Sequence, residues 1–317
     1  MSKLGDASAA ISDKIDQEGL LGKPVSLWKQ TFTRLMRGRS GQVGAFIIVS
    51  LILIAIFAPL IAPYDPQQVL IGVEDVKKRE GPCVHMFGCD VSRPQHLMGI
   101  DGNFRDAYSR LIHGTRISLA IGLSTVSVAL FFGVLFGAIS GYFGGWLDTV
   151  IMRIMDVILG FPSLLLAIAI VAVLGPGIQN ALLAISIVTL PAYARVTRAS
   201  VLSVKELDFV AATKVMGGSK WRILFFRILP NAMTPIVVLA TLGIAGAILD
   251  AAGLSFLGLG AQPPMPEWGA MLGSERNQIF SAPHLVFFPG IAIMITVLGF
   301  NLLGDGLRDA LDPRLNN

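Results

Sequence analysis

Charge is what this chain has little of. Only 15% of its 317 residues are Asp, Glu, Lys or Arg, against 53% hydrophobic, a balance that excludes an ordinary soluble domain. Five stretches carry no charge at all: 43–63, 117–147, 157–194, 228–249 and 277–304, of 21, 31, 38, 22 and 28 residues. About 20 apolar residues suffice to cross a hydrocarbon layer about 30 Å thick, so each stretch is long enough to span. The 38-residue stretch is interrupted by Gly175-Pro176-Gly177 and divides into two. Period-two alternation is also missing, which excludes a membrane β-barrel. The expected fold is therefore all-α, with six transmembrane helices over 43–63, 117–141, 150–174, 178–198, 232–258 and 284–304.

Other absences narrow the function. There is no G-x-x-x-x-G-K-[ST] phosphate loop, and the nearest Gly-Lys, Gly22-Lys23, runs into Pro24, so the chain is not itself a P-loop ATPase. Leu254-Ser255-Phe256-Leu257-Gly258 lacks the Gly-Gly-Gln end of an ATPase signature and sits in an apolar run. H-E-x-x-H and G-x-S-x-G are absent, leaving a membrane protease or hydrolase without support. A proton-coupled secondary carrier would show more buried carboxylates and visible half-repeats. No cleavable signal is expected, because the first apolar run begins beyond residue 40, after a leader with seven Lys/Arg.

Basic residues orient the spans. The leader 1–42 and the segment Arg195–Arg227 hold seven Lys/Arg each, while 175–177 has none and 259–283 only Arg276. This places both termini, the 142–149 link, the loop 199–231 and the tail 305–317 on the cytoplasmic side. The loop 64–116 also has seven basic residues, but seven acids balance them and it is long, so it is assigned outside. The net charge of +4 then marks inner-face basicity, not nucleic-acid binding. Within the leader, 26–40 places Leu27, Phe32, Leu35 and Met36 near helical spacing among Lys29, Arg34, Arg37 and Arg39. An interfacial helix and an unstructured basic flank both fit this pattern. The only two cysteines, Cys83 and Cys89, lie in the outer loop near His85 and His96. A disulfide, worth about 2 kcal/mol for so short a loop, a metal site of unfamiliar spacing and free thiols are all open.

The cytoplasmic loop is more structured than a linker requires. From Glu206 to Asn231 it divides into two short helical patterns about Gly217-Gly218. Phe209, Ala212 and Met216 share one face of the first; Trp221, Leu224, Phe225 and Ile228 share one face of the second, with Lys220 and Arg227 beside it. Gly217 suits a left-handed helix C-cap, and Ser219 can cap the next helix. Such an elbow can enter a cleft on a partner and transmit its motion; an interfacial hairpin that only stabilises the fold has the same pattern. Inside the spans Arg153 and Asp156 are spaced to pair with each other, Arg195 lies near the inner end of the fourth span, and Asp250 has no local partner. Asp250 is thus a candidate for lining a pathway or bonding a partner chain.

Taken together, FAPLIAPYDP (Phe57–Pro66), HLMGIDGNFRDAYSRLIHGTRISLAIG (His96–Gly122), LDTVIMRIMDVILGFPSLLLAI (Leu147–Ile168), LSFLGLGAQPPMPEWGAML (Leu254–Leu272) and LGFNLLGDGLRDALDPR (Leu298–Arg314) resemble the second permease of dipeptide, oligopeptide and nickel ABC importers. The likeness runs from about Leu27 to Pro313. That family's loop pattern of Glu-Ala-Ala, three residues, Gly, then apolar-Leu-Pro falls on Ala211-Ala212-Thr213, Gly217 and Ile228-Leu229-Pro230. The usual loop acid is absent here, being Ala211. The resemblance implies the type I importer fold and a loop, including Glu206, Phe209, Ala211, Ala212, Gly217, Gly218, Ser219, Trp221 and Pro230, that couples to ATPases. It also implies a heterodimer with a homologous permease, two ATPase subunits holding the ATP and Mg, and an extracytoplasmic solute-binding protein touching 64–116 and Gln262–Trp268. The chain itself would be no enzyme, hold no cofactor or metal, and sit in a prokaryotic inner membrane.

Overall fold

The computed structural model describes residues 31–311 except Phe32; most of the expected 26–40 interfacial helix lies outside them, with 33–35 helical and a turn at 36–38. Among the described residues every regular element is a helix, and β-pairing is limited to isolated bridges. α1 (Arg39–Ile61) ends before the outer loop, and α2 (Ala107–Phe143) returns from it. α3 (Gly145–Leu159) and α4 (Ser163–Leu174) follow, then α5 (Ile178–Lys205), α6 (Asp208–Val215) and α7 (Lys220–Ile223). A π turn (Leu224–Ile228) joins α7 to α8 (Leu229–Phe256), and α9 (Trp268–Glu275) leads to α10 (His284–Leu311). α1, α2, α5, the run Lys220–Phe256 and α10 are each long and apolar enough to span.

The expected third span over 150–174 is not one rod. α3 and α4 meet at 92°, and only as a bent pair do they have the length and apolarity of a sixth crossing. Pro162 explains the break: its ring drives Phe161 out of helical geometry, and it has no N–H to continue the ladder. The 175–177 turn forms where expected, with Gly175 at φ 92° and Gly177 at φ 151°, values costly for a residue with a Cβ.

Other spans overrun their apolar cores. α2 starts at Ala107 rather than 117, because the Asp106 carboxylate accepts the Ser109 N–H at 2.7 Å and caps it. α10 continues through the expected tail to Leu311. Close helix approach comes from glycines. Gly133, Gly137 and Gly141, four apart on α2, press on Tyr193, Ala194 and Arg198 of α5, and a Cβ at 137 would collide with the Ala194 carbonyl. Gly44 and Gly306 do the same between α1 and α10.

Candidate functional site

The elbow lies where α2 and α5 end and α8 begins. α6 closes with Gly217 at φ 82°, while the Gly217 N–H bonds Lys214 O at 3.0 Å and the Gly218 N–H bonds Thr213 O at 3.1 Å. This is the paired closure of a Schellman cap. Ser219 then caps α7, its Oγ accepting the Arg222 N–H at 3.4 Å. Two helices therefore meet at a turn whose backbone groups are satisfied from within, which makes a fixed angle instead of a hinge.

Burial decides which face does what. Val210 of α6, Ile223 of α7, and Leu224 and Ile228 of the π turn pack with Ala138, Tyr142, Val201 and Ala232, anchoring the elbow to α2, α5 and α8. The expected first face, Phe209, Ala212 and Met216, points outward, with Met216 77% exposed, and Val215 beside it is 89% exposed. On the second helix the expected face is split: Leu224 and Ile228 are buried, whereas Trp221 lies at the rim, stacked on Phe225 with centroids 5.8 Å apart. Glu206 and Ala211 are exposed. Pro230 does not end the elbow, because the helix runs through it from α7 into α8. The π turn just before it, with Leu229 N–H reaching Leu224 O, absorbs the missing proline N–H.

Charged groups near the same end of the bundle pair across helices. Asp156 binds Arg195 Nη2 at 2.6 Å, not the expected Arg153. α3 lies beside α5, so a guanidinium from the neighbouring helix reaches the carboxylate more directly than one three residues away. Asp148 takes two 2.6 Å bonds from Arg198 and one from Ser140, a fork pairing the sequence reading missed. Asp148 and Arg198 sit at the inner ends of consecutive spans, and that was the available signal. Asp250 has no hydrogen-bond or ion-pair partner among the described residues; on the same face of α8, a Cβ at Gly246 would meet nothing within 4 Å.

At the far end, the outer loop is a packed structure. Cys83 and Cys89 form a disulfide, Cα–Cα 5.4 Å. The four candidate metal ligands do not converge: Cys83 and Cys89 bond each other, His85 bonds Arg93 O at 2.8 Å, and the His96 ring turns to Asp106 and Glu74. His96, 3% exposed, lies between Asp106 (Nδ1–Oδ1 2.9 Å) and Glu74 (Nε2–Oε2 3.2 Å). Arg79 binds Glu275 at 2.7 Å and Arg110 bonds Pro66 O and Pro264 O, tying the loop to α9 and the segment before it. Within Gln262–Trp268 only 262–265 are exposed; Trp268 is 1% exposed with its indole N–H on Leu111 O at 3.0 Å. Its large ring is more stable in the core than at a wet interface.

Five long apolar helices and one bent apolar pair make this a multi-pass membrane protein, and its loop 206–231 is fixed as a protruding elbow. Residues 133–317 match the family described as "binding-protein-dependent transport system inner membrane component", and 26–78 match the "N-terminal TM domain of oligopeptide transport permease C". The chain belongs to this family of ABC transporter permeases. It is 48% identical over 293 residues to the dipeptide transport system permease protein of Alkalihalophilus pseudofirmus, covering 92% of each chain. Against the glutathione transport system permease protein of Pectobacterium atrosepticum it is 44% identical, again covering 92% of each. An inward-facing structure of the MetNI methionine ABC transporter shares the fold at TM-score 0.53 and 18% identity, over 64% of this chain and 96% of that one. Membership makes the chain a transport subunit, not an enzyme, and implies ABC transporter partners, an ATPase and a binding protein.

Proposed function

We propose that this chain forms half of the pathway of an importer for di- and oligopeptides in a prokaryotic inner membrane, with both termini and the elbow on the cytoplasmic side. A homologous permease completes the pathway, two ATPase subunits bearing ATP and Mg bind below, and a solute-binding protein delivers cargo to the 64–116 loop and 262–265. Closure of the ATPases moves the elbow through the outward face of Phe209, Val215 and Met216, and the spans rock between inward- and outward-facing states. Asp250 turns toward the pathway or the sister permease. The observation that carries the reading is the elbow itself: fixed in angle, seated on three spans, and apolar where it leaves them.

Peptide as cargo is supported by the relatives' names and the N-terminal family match. Nickel or oligosaccharide importers of the same architecture, and an ATP-independent carrier, are the competing readings. The test is uptake of a labelled dipeptide by vesicles holding the reconstituted complex. Unlabelled di- and tripeptides should compete and internal ATP should be required. Competition by nickel or an oligosaccharide would reassign the cargo, and uptake without ATP would remove the importer reading.

A further inference from the structure

Arg222, Phe226 and Arg227 of α7 and the π turn lie outside the outward face of Phe209, Val215 and Met216 proposed for coupling. Arg222 and Arg227 are exposed, and neither guanidinium has a hydrogen-bond or ion-pair partner among the described residues. In a regular α-helix, residues five apart point about 140° away from each other. The wider π turn between these two reduces that angle, and both line one groove together with Trp221 and Phe226. Phe225 forms the floor where this groove meets a second one. The second is apolar and runs between α2 and α8 past Leu130, Val134 and Met233, inside two spanning segments.

The two grooves share Phe225, and the first adds the guanidiniums of Arg222 and Arg227 to a largely apolar lining. Charge-free sequence begins at Ile228, one residue beyond Arg227, so the basic groove lies at headgroup level and the apolar one at acyl-chain level. Phe226 is 75% exposed, and Trp221, 54% exposed, carries the amphipathic ring that settles at that depth in membranes. We infer that this double groove is a binding site for an anionic phospholipid of the elbow-side leaflet. One acyl chain lies between α2 and α8, and the phosphate is held by Arg222 and Arg227. Guanidinium forks match phosphate oxygens, and the occupant must be apolar along its length and negative at its end. The inference needs the spans but not the cargo, so it stands or falls separately from peptide transport.

Trp221 supplies the reporter. Full-length wild-type and Trp221→Phe chains are reconstituted into vesicles of brominated phosphatidylcholine, and the difference in their emission isolates Trp221. Unbrominated phosphatidylglycerol or phosphatidylcholine is then added. Phosphatidylglycerol should relieve the quenching at a mole fraction at least about fivefold lower, the order of gain that one surface arginine supplies with anionic lipid. That preference should vanish in R222Q/R227Q and largely persist in R222K/R227K, which retains the charges and controls for folding. Equal relief by both lipids, a preference that survives in R222Q/R227Q, or a Trp221 that bromolipid never quenches because protein covers the groove would each overturn the assignment.

Discussion

His96 shows how much one side chain can hold. Its backbone pairs with Cys83 through two bonds of 2.9 and 3.0 Å, and its ring bridges Asp106, the cap of α2, to Glu74. Nδ1 is hydrogen-bonded to Asp106, whereas Nε2 faces Glu74 at 3.2 Å without hydrogen-bond geometry, so the Glu74 contact is an ion pair only in the imidazolium form. Burial acts to lower the His96 pKa, but the bond to Asp106 and the charges of Asp106 and Glu74 outweigh it and raise it above 6.5. The sign follows: a raised folded-state pKa gives stabilisation that is complete below the unfolded value and is lost as pH rises through the folded one. Hydrogen exchange at the Cys83 and His96 amides, corrected for intrinsic rates, should therefore lose protection above the ordinary histidine range. His96→Gln should show no such step; a wild-type profile flat across that range would contradict the bridge. None of this was legible beforehand, since Glu74 and Asp106 lie 22 and 10 residues from His96 (96 − 74 and 106 − 96). Asp156 is the same lesson in a span: the local partner Arg153 was visible, and the actual one, Arg195, came from the next helix.

Elements were easier to read, because apolar length and helix punctuation are local. The Gly175–Gly177 turn, the Gly217 cap and the Ser219 cap all appear at the residues expected. What escaped was geometry set by one residue acting on many: Pro162 bending a span by 92°, and Pro230 answered by a π turn instead of a helix end. The elbow's seat was half legible. Leu224 and Ile228 were on the expected face, whereas Val210 and Ile223 gained their roles only from where α2 and α5 end. Helix crossing gives a direct test. Gly137→Ala pushes a methyl into the Ala194 carbonyl and should cost about 1–3 kcal/mol, read as a lower melting temperature of the purified chain. Gly246→Ala, which meets nothing within 4 Å, should leave the melting temperature unchanged or raise it. Equal losses at both sites would mean that α2 and α5 are not in close contact.

At the scale of the whole molecule, the chain is two rigid ends joined by spans. One end is the outer loop, fixed by the disulfide, His96 and Glu275 and bound to α9; the other is the elbow, fixed by its own caps and by α2, α5 and α8. Rigid ends suit a machine in which force applied at one is to be felt at the other, since a compliant elbow would dissipate the motion of the ATPases. The most direct test is substrate-stimulated ATP hydrolysis by the reconstituted complex, comparing wild type with V215A/M216A. Both residues are exposed at 89% and 77%, so the change removes the apolar surface proposed to dock without disturbing the core, and the melting temperature should not move. Stimulated hydrolysis should fall by about tenfold, the effect of losing about 1.4 kcal/mol of interface energy. Hydrolysis undiminished in V215A/M216A, with the complex intact, would contradict the claim that this face drives transport.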